Sequence, residues 1–194
     1  MIAENISVLK KNQRHQSSKK RLILSKSINI ESLFFDNILH TTDWFKKSKI
    51  VASFLSIKSE IPTVHLNQII EKSGKVLCLP LMPKDDSGIL TFKKYFYGDK
   101  LSAGPYGVKE PLSKNSYLPD IIFTPCLAFD IHGFRLGYGG GFYDKTISYL
   151  NFIKHDFLTI GLAYDDQRVN DVVHDDLDQK LNYILTEKQL YKIL

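Results

Sequence analysis

Cysteine is scarce, with two residues in 194, Cys78 and Cys126, each within two positions of a proline in an apolar run. So sparse a pair excludes a disulfide framework and offers no zinc spacing, and both read as buried, reduced thiols. No apolar run approaches the roughly 20 residues that span a bilayer. The N-terminus carries no apolar segment of the secretory kind, so a cytoplasmic protein that does not enter a membrane is expected. Repeats and low-complexity stretches are also missing. Acids are nearly absent from one region. Residues 1–26 hold Lys10, Lys11, Arg14, Lys19, Lys20, Arg21 and Lys26 against Glu4 alone, a balance of +6 where the whole chain has +5. The remainder is therefore at −1, and the sequence pI near 9.0 describes one segment. A segment of this kind either binds a polyanion (nucleic acid, a nucleotide triphosphate or a membrane surface) or is a solvated helix face.

Periodicity predicts helices over 5–24 and 28–47, the second with Ile30, Leu33, Phe34, Ile38 and Leu39 at helical spacing. The run "KIVASFLSI" (49–57) reads as a strand. "IPTVHLNQIIEKSG" reads as a helix with Thr63 as its N-cap and Gly74 where it stops. "KVLCLP" (75–80) is a second strand closed by Pro80, and strand, helix and strand in that order predict a parallel βαβ unit. Residues 83–118, rich in Pro, Gly, Asp, Lys and Ser, are too long for an idle loop and are expected to carry substrate contacts. Further strands are expected at 120–130, 157–164 and 181–186, with a helix from about Phe142 to Lys154. The alternation predicts an α/β fold, a single-domain three-layer sandwich with a mostly parallel central sheet flanked by helices. The whole of 1–194 is expected to form that domain, 1–47 being a helical part with the basic helix and 48–194 the α/β core.

The densest signal is "RLGYGGGFYDK", Arg135 to Lys145, with four glycines in five positions before a helix. A dinucleotide fingerprint starting at Gly137 requires glycine at 142, where Phe stands, and the chain's Gly74–Lys75 pair is followed by Val76, so it is no P-loop. A glycine-rich turn between strand and helix presents backbone N–H groups and a helix dipole at one point, which suits phosphate; the alternative is a tight turn alone. Asp144, one turn into that helix, is placed to hold Mg²⁺ on a nucleotide, or serves only as a helix-dipole partner. Arg135 can clamp a phosphate oxygen. Lys10 and Arg14 share one helix face, and Arg21 falls within roughly 40° of Lys10, so the stripe is expected to close over a polyphosphate. The six histidines show no metal-ligand pairing, and no Ser/His/Asp or Cys/His set is evident. Trp44 and the aromatics of 92–97 are expected in the core and pocket lining.

"PCLAFDIHGFRLGYGGGFYDK" resembles the signature of the 5-formyltetrahydrofolate cyclo-ligase (5,10-methenyltetrahydrofolate synthetase) family. "SEIPT" with Glu60, "GKVLCLP", "GVKEP" and "GLAYDDQ" resemble the family's successive blocks in order, over nearly the whole chain. The resemblance implies an enzyme that uses ATP and Mg²⁺ to convert 5-formyltetrahydrofolate into 5,10-methenyltetrahydrofolate, ADP and phosphate, through a phosphorylated formyl (iminium phosphate) intermediate. It implies that Lys10, Lys11 and Arg14, with Arg135, Leu136, Gly137, Tyr138, Gly139, Gly140, Gly141, Phe142 and Tyr143, hold ATP. Arg135 and Tyr143 are then the catalytic residues. Leu55, Glu60, Phe92 and Tyr143 contact the folate, and Asp144 binds the metal with a later Asp. Counting back from Thr186 selects Asp178 as that second ligand, whereas the His-Asp pair selects Asp175; Val173 stands where the family has proline. The partner is the folate, with or without a polyglutamate tail, with no nucleic acid or membrane, and a monomer is expected. Two rivals share the features: a phosphotransferase for another small acid, and a nucleic-acid-binding module using the basic helix. The −1 balance of residues 27–194 argues against the second.

Overall fold

The computed structural model describes residues 2–28 and 35–193. Helix α1 (Ile2–Ser27) is longer than its periodicity predicts. The expected second helix is two short ones, α2 (Phe35–Thr41) and α3 (Asp43–Lys47), separated at Thr42. Its positions Ile30, Leu33 and Phe34 lie outside the described residues. Strand β1 (Ile50–Ala52), helix α4 (Val64–Lys72) and strand β2 (Val76–Leu81) make the expected parallel βαβ unit. Gly74, at φ +72°, lets the chain turn back after α4.

β1 is shorter than the apolar run 49–57 because side chains take over the backbone bonding beyond it. Ser56 N–H donates to Thr63 Oγ1 (3.2 Å), Ser56 Oγ donates to Ile61 O (2.6 Å), and Ile57 N–H donates to Glu60 Oε2 (2.9 Å). Thr63 precedes α4 but does not cap it, since its hydroxyl donates instead to Phe54 O (2.7 Å).

The long segment 83–118 holds β3 (Thr91–Lys94), β4 (Leu101–Ala103), β5 (Lys109–Pro111) and β6 (Ser116–Tyr117). The buried run 120–130 splits. β7 (Ile121–Pro125) stays in the sheet, and β8 (Ala128–Phe129) leaves it to pair with β9 (Arg135–Leu136). Pro125 has no N–H for the ladder, and beyond it the Cys126 and Leu127 carbonyls accept Gln167 Nε2, both at 2.9 Å. Helix α5 (Phe142–Phe152), β10 (Leu158–Leu162) and β11 (Tyr183–Leu185) follow as expected, and β12 (Leu190–Lys192) adds an edge strand that periodicity does not reveal.

The main sheet runs β12-β11-β10-β7-β1-β2-β3-β6. Its centre, β11 to β2, is parallel, while β12 on one edge and β3 and β6 on the other are antiparallel. Val51, Phe123, Ile160 and Leu162 pack on one face against Phe35, Leu39 and Phe45 of α2 and α3 and Leu66 and Ile70 of α4. Ala52, Cys78 and Ile122 pack on the other against Leu90, Phe92 and Leu150 of α5. The result is a three-layer α/β sandwich. No helix among the described residues is long and apolar enough to cross a membrane.

β1 leads outward to β2, and the chain then crosses back to β7 on the other side of β1. The strand order therefore switches direction between β1 and β7, and ligands in open α/β sheets bind at the carboxyl ends beside such a point.

Candidate active site

A cleft of about 1130 Å³ opens there, lined by Phe54 and Leu55 beyond β1 and by Pro125 at the end of β7. Arg135 to Lys145 line it together with Lys10 and Arg14 of α1 and with Asp175 to Gln179. Ile57, Met82, Ile89, Leu90 and Val108 add an apolar lining. Pockets that hold one drug-sized ligand run to about 1,000 Å³, so this cleft is at the large end of that range.

The glycine loop is shaped for an anion. Gly139 (φ +105°) and Gly141 (φ +67°) hold backbone that side chains rarely adopt, and Gly141 immediately precedes α5. The unpaired N–H groups and positive dipole end of α5 therefore lie at the loop. Arg14 Nε donates to Gly137 O (3.0 Å) and ties α1 to the loop.

The charged side chains of the cleft are paired with each other. Lys10 Nζ donates to Asp175 Oδ2 (2.7 Å) and Asp178 Oδ2 (2.5 Å), and Asp178 Oδ2 also accepts from Asp175 N–H (2.8 Å). Burial lowers the Lys10 ammonium, but the two carboxylates outweigh it and leave its pKa raised. The hydrogen bond from Lys10 is the main reason that Asp175 is held below the usual carboxylate range. Arg135 Nη2 lies 3.0 Å from Asp144 Oδ1, which also accepts from Gln179 N–H (2.9 Å), while Arg135 Nη1 donates to Gln179 O (3.0 Å). Burial pushes the Tyr143 phenol above its usual range. Burial also pushes the Glu60 carboxyl up, against the pull of Ile57 N–H, Arg21 and Lys58.

Asp144 fits a metal that arrives with a polyphosphate. Its Oδ1 is committed, and its Oδ2 has no protein partner among the described residues. No group of three metal-type side chains occurs among them. Mg²⁺ is commonly held by one or two carboxylates and substrate phosphates without a full protein cage.

A model of the 5-formyltetrahydrofolate cyclo-ligase family matches residues 8–187, from just before Lys10 to just past β11. The chain belongs to that family. The cyclo-ligase of Haemophilus influenzae is 35% identical over 145 residues, which cover 72% of this chain and 76% of that protein. That of Escherichia coli K12 is 33% identical over 147 residues, 73% of this chain and 80% of that protein. The solution structure of 5,10-methenyltetrahydrofolate synthetase from Aquifex aeolicus superimposes with a TM-score of 0.68 at 28% identity, covering 97% of this chain and 92% of that one. A synthetase structure from Mycoplasma pneumoniae shares the fold, with a TM-score of 0.67 at 18% identity and coverage of 92% and 98%.

Of the residues expected at a cyclo-ligase site, Lys10, Arg14, Leu55, Glu60, the run Arg135 to Asp144 and Asp178 all line the cleft. Phe92 does not; it is 3% exposed in the core under β3. Lys11 is exposed, one residue and so about 100° round the helix from the inward Lys10. Arg21 is not on the polyphosphate side. Eleven residues separate it from Lys10, about 16 Å along the helix, and it is buried against Cys126, Ser59 and Tyr138. Sequence reasoning missed Tyr106 and Gln179 in the cleft lining. The turn "GPYG" was a usable signal for Tyr106. Gln179 acts through its backbone, for which residue type gives no sign.

Proposed function

We propose that the protein cyclises 5-formyltetrahydrofolate to 5,10-methenyltetrahydrofolate at the expense of ATP, with release of ADP and phosphate. The observation that carries this reading is one cleft lined both by basic side chains and the glycine loop, which suit a polyphosphate, and by apolar side chains with a buried carboxylate, Glu60, which suit a pterin. A formamide oxygen is a poor leaving group, so the γ-phosphoryl group is transferred to it, giving an iminium phosphate. The N10 amine then attacks that carbon, N10 loses its proton, phosphate departs and the five-membered ring closes.

The chain's work is positioning and charge neutralisation. Lys10, Arg14 and the loop N–H groups bind the polyphosphate. Arg135 neutralises charge on the transferring group, and Tyr143 donates a hydrogen bond to oxygens that gain charge. Glu60 accepts from the N–H groups of the pterin edge, Leu55 packs on the ring, and the apolar wall keeps water from the activated carbon. Asp144, with Asp178, would hold Mg²⁺, which supplies neutralisation of the polyphosphate charge. Lys10 must change partners on nucleotide binding, from Asp175 and Asp178 to phosphate.

The test mixes the purified protein with 5-formyltetrahydrofolate, Mg²⁺ and ATP and follows the near-ultraviolet absorbance of the methenyl product. Product that forms only with ATP supports the reading; ATP consumption without product points to another phosphoryl acceptor.

A further inference from the structure

Arg21 is 1% exposed and does not line the cleft. A guanidinium this deeply buried is held by its partners or not at all. Nε donates to Ser59 Oγ (3.2 Å), Nη1 donates to Cys126 O (3.1 Å), and Nη2 meets the Tyr138 hydroxyl. Nη1 also stands 3.9 Å from Glu60 Oε1. These partners lie in three different segments: Ser59 and Glu60 in the loop after β1, Cys126 just past β7, and Tyr138 inside the glycine loop. If this position served only to pack α1, an aliphatic residue would do, as Leu24 and Ile28 do further along the same stripe. Replacing a buried ion pair with apolar side chains is often neutral or stabilising, so stability alone does not account for the charge.

We propose that Arg21 is a positioning residue that holds the Glu60 carboxylate aimed into the cleft and ties it to the glycine loop through Tyr138. The proposal rests on the reading of Glu60 as the folate-binding carboxylate. The geometry suits the role. Glu60 Oε2 is held by Ile57 N–H (2.9 Å), Arg21 Nη1 stands 3.9 Å from Oε1, and the Tyr138 hydroxyl, which Arg21 also holds, meets the Glu60 carboxyl as well. Lys58, at φ +54°, places its ammonium 5.2 Å from the centre of the Tyr138 ring, and the Arg21 guanidinium lies 5.3 Å from that same centre. Two cations thus converge where the Glu60 loop and the glycine loop meet. Burial alone would favour the neutral carboxyl of Glu60, and Arg21 is among the groups that oppose this.

The experiment is a double-mutant cycle on the full chain. Arg21→Met fills the space without the charge. Arg21→Gln keeps a donor for the Cys126 carbonyl and serves if the methionine variant does not fold. Each is combined with Glu60→Gln. Arg21→Met is expected to raise KM for 5-formyltetrahydrofolate at least tenfold, with kcat and the affinity for a non-hydrolysable ATP analogue changed by less than threefold. In the Glu60→Gln background the same substitution adds less than threefold, because the carboxylate through which it acts is gone. Equal losses in both backgrounds, or an unchanged KM in the single variant, overturn the proposal and leave Arg21 a packing residue. Calorimetric titration of the wild type with 5-formyltetrahydrofolate separates the two readings. A wild type that binds no folate overturns the proposed function and this proposal with it, whereas normal wild-type binding with an additive cycle overturns this proposal alone.

Discussion

Substituting Gly137 by alanine separates what the glycine loop needs in order to fold from what it needs in order to bind. Unlike Gly139 and Gly141, Gly137 has a φ outside the left-handed region, and a Cβ built on it meets no atom within 4 Å. Yet it lines the cleft, and its carbonyl accepts from Arg14. Nothing in the protein excludes a side chain there, so on the proposed function it is the bound nucleotide that an added methyl group would meet. Gly→Ala at a compatible position stabilises by about 0.4–1 kcal/mol through the unfolded chain. In a domain of this size 1 kcal/mol moves Tm by about 2–4 °C, so the free variant should melt roughly 1–4 °C higher than the wild type. A ligand at 100 times its Kd stabilises by about 2.7 kcal/mol, or roughly 5–11 °C here. If the added methyl group intrudes on a phosphate and weakens binding tenfold, about 1.4 kcal/mol of that is lost. The melting shift given by Mg²⁺ and a non-hydrolysable ATP analogue should then be roughly 3–5 °C smaller in the variant. Differential scanning calorimetry with and without the analogue reads both effects. A variant that is no less stable and responds fully to the analogue would refute the reasoning, because Gly137 would then be needed neither by the fold nor by the nucleotide.

Three further outcomes follow from the paired charges and the buried thiols. Asp144→Ala leaves the Arg135 guanidinium, 4% exposed, without its carboxylate and should lose about 3 kcal/mol of stability. Asp144→Asn keeps an oxygen acceptor, and should fold within a few degrees of the wild-type Tm while lowering ATP-dependent turnover roughly 100-fold; a normal rate would remove Asp144 from the chemistry. The Lys10 pair sets a pH dependence. The raised Lys10 pKa stabilises fully below its ordinary 10.5 and is lost as pH rises through the folded value, and the lowered Asp175 pKa stabilises above its ordinary 3.8 and is lost on acidification through the folded value. The Tm difference between wild type and Lys10→Met should therefore be steady between these limits and shrink beyond either; a difference that does not change with pH would mean that the pair contributes nothing. Burial pushes both thiols up to about 12, which leaves about one part in 10⁴ as thiolate at pH 8. A thiol reagent should label neither Cys78 nor Cys126 in the native protein and both in guanidinium chloride, and rapid native labelling would contradict their burial.

The sequence by itself determined the parts of this protein that depend on near neighbours. The βαβ unit, the buried strand ending at Pro125, the left-handed turn before α5 and the acid in that helix's first turn follow from residue type at fixed short spacing. Local chemistry decides a turn or a helix start, so these were legible without the fold. The strand 49–57 was overread because its apolar content marks burial, and burial in the cleft wall looks the same in sequence as burial in a sheet. Strand β12 and the β8–β9 hairpin were missed because two or three residues show no period. Only the tertiary structure decided which charges meet. Lys10 lies against Asp175 and Asp178, more than 160 positions away, because α1 packs along the 171–178 loop, where Gln13 also bonds Asp171 O and Val173 N–H. Packing likewise takes Arg21 off the cleft surface and against Ser59, Cys126 and Tyr138, and sinks Phe92 into the core. Helical spacing fixes the face on which a side chain projects, but what stands opposite that face is set by how distant segments pack.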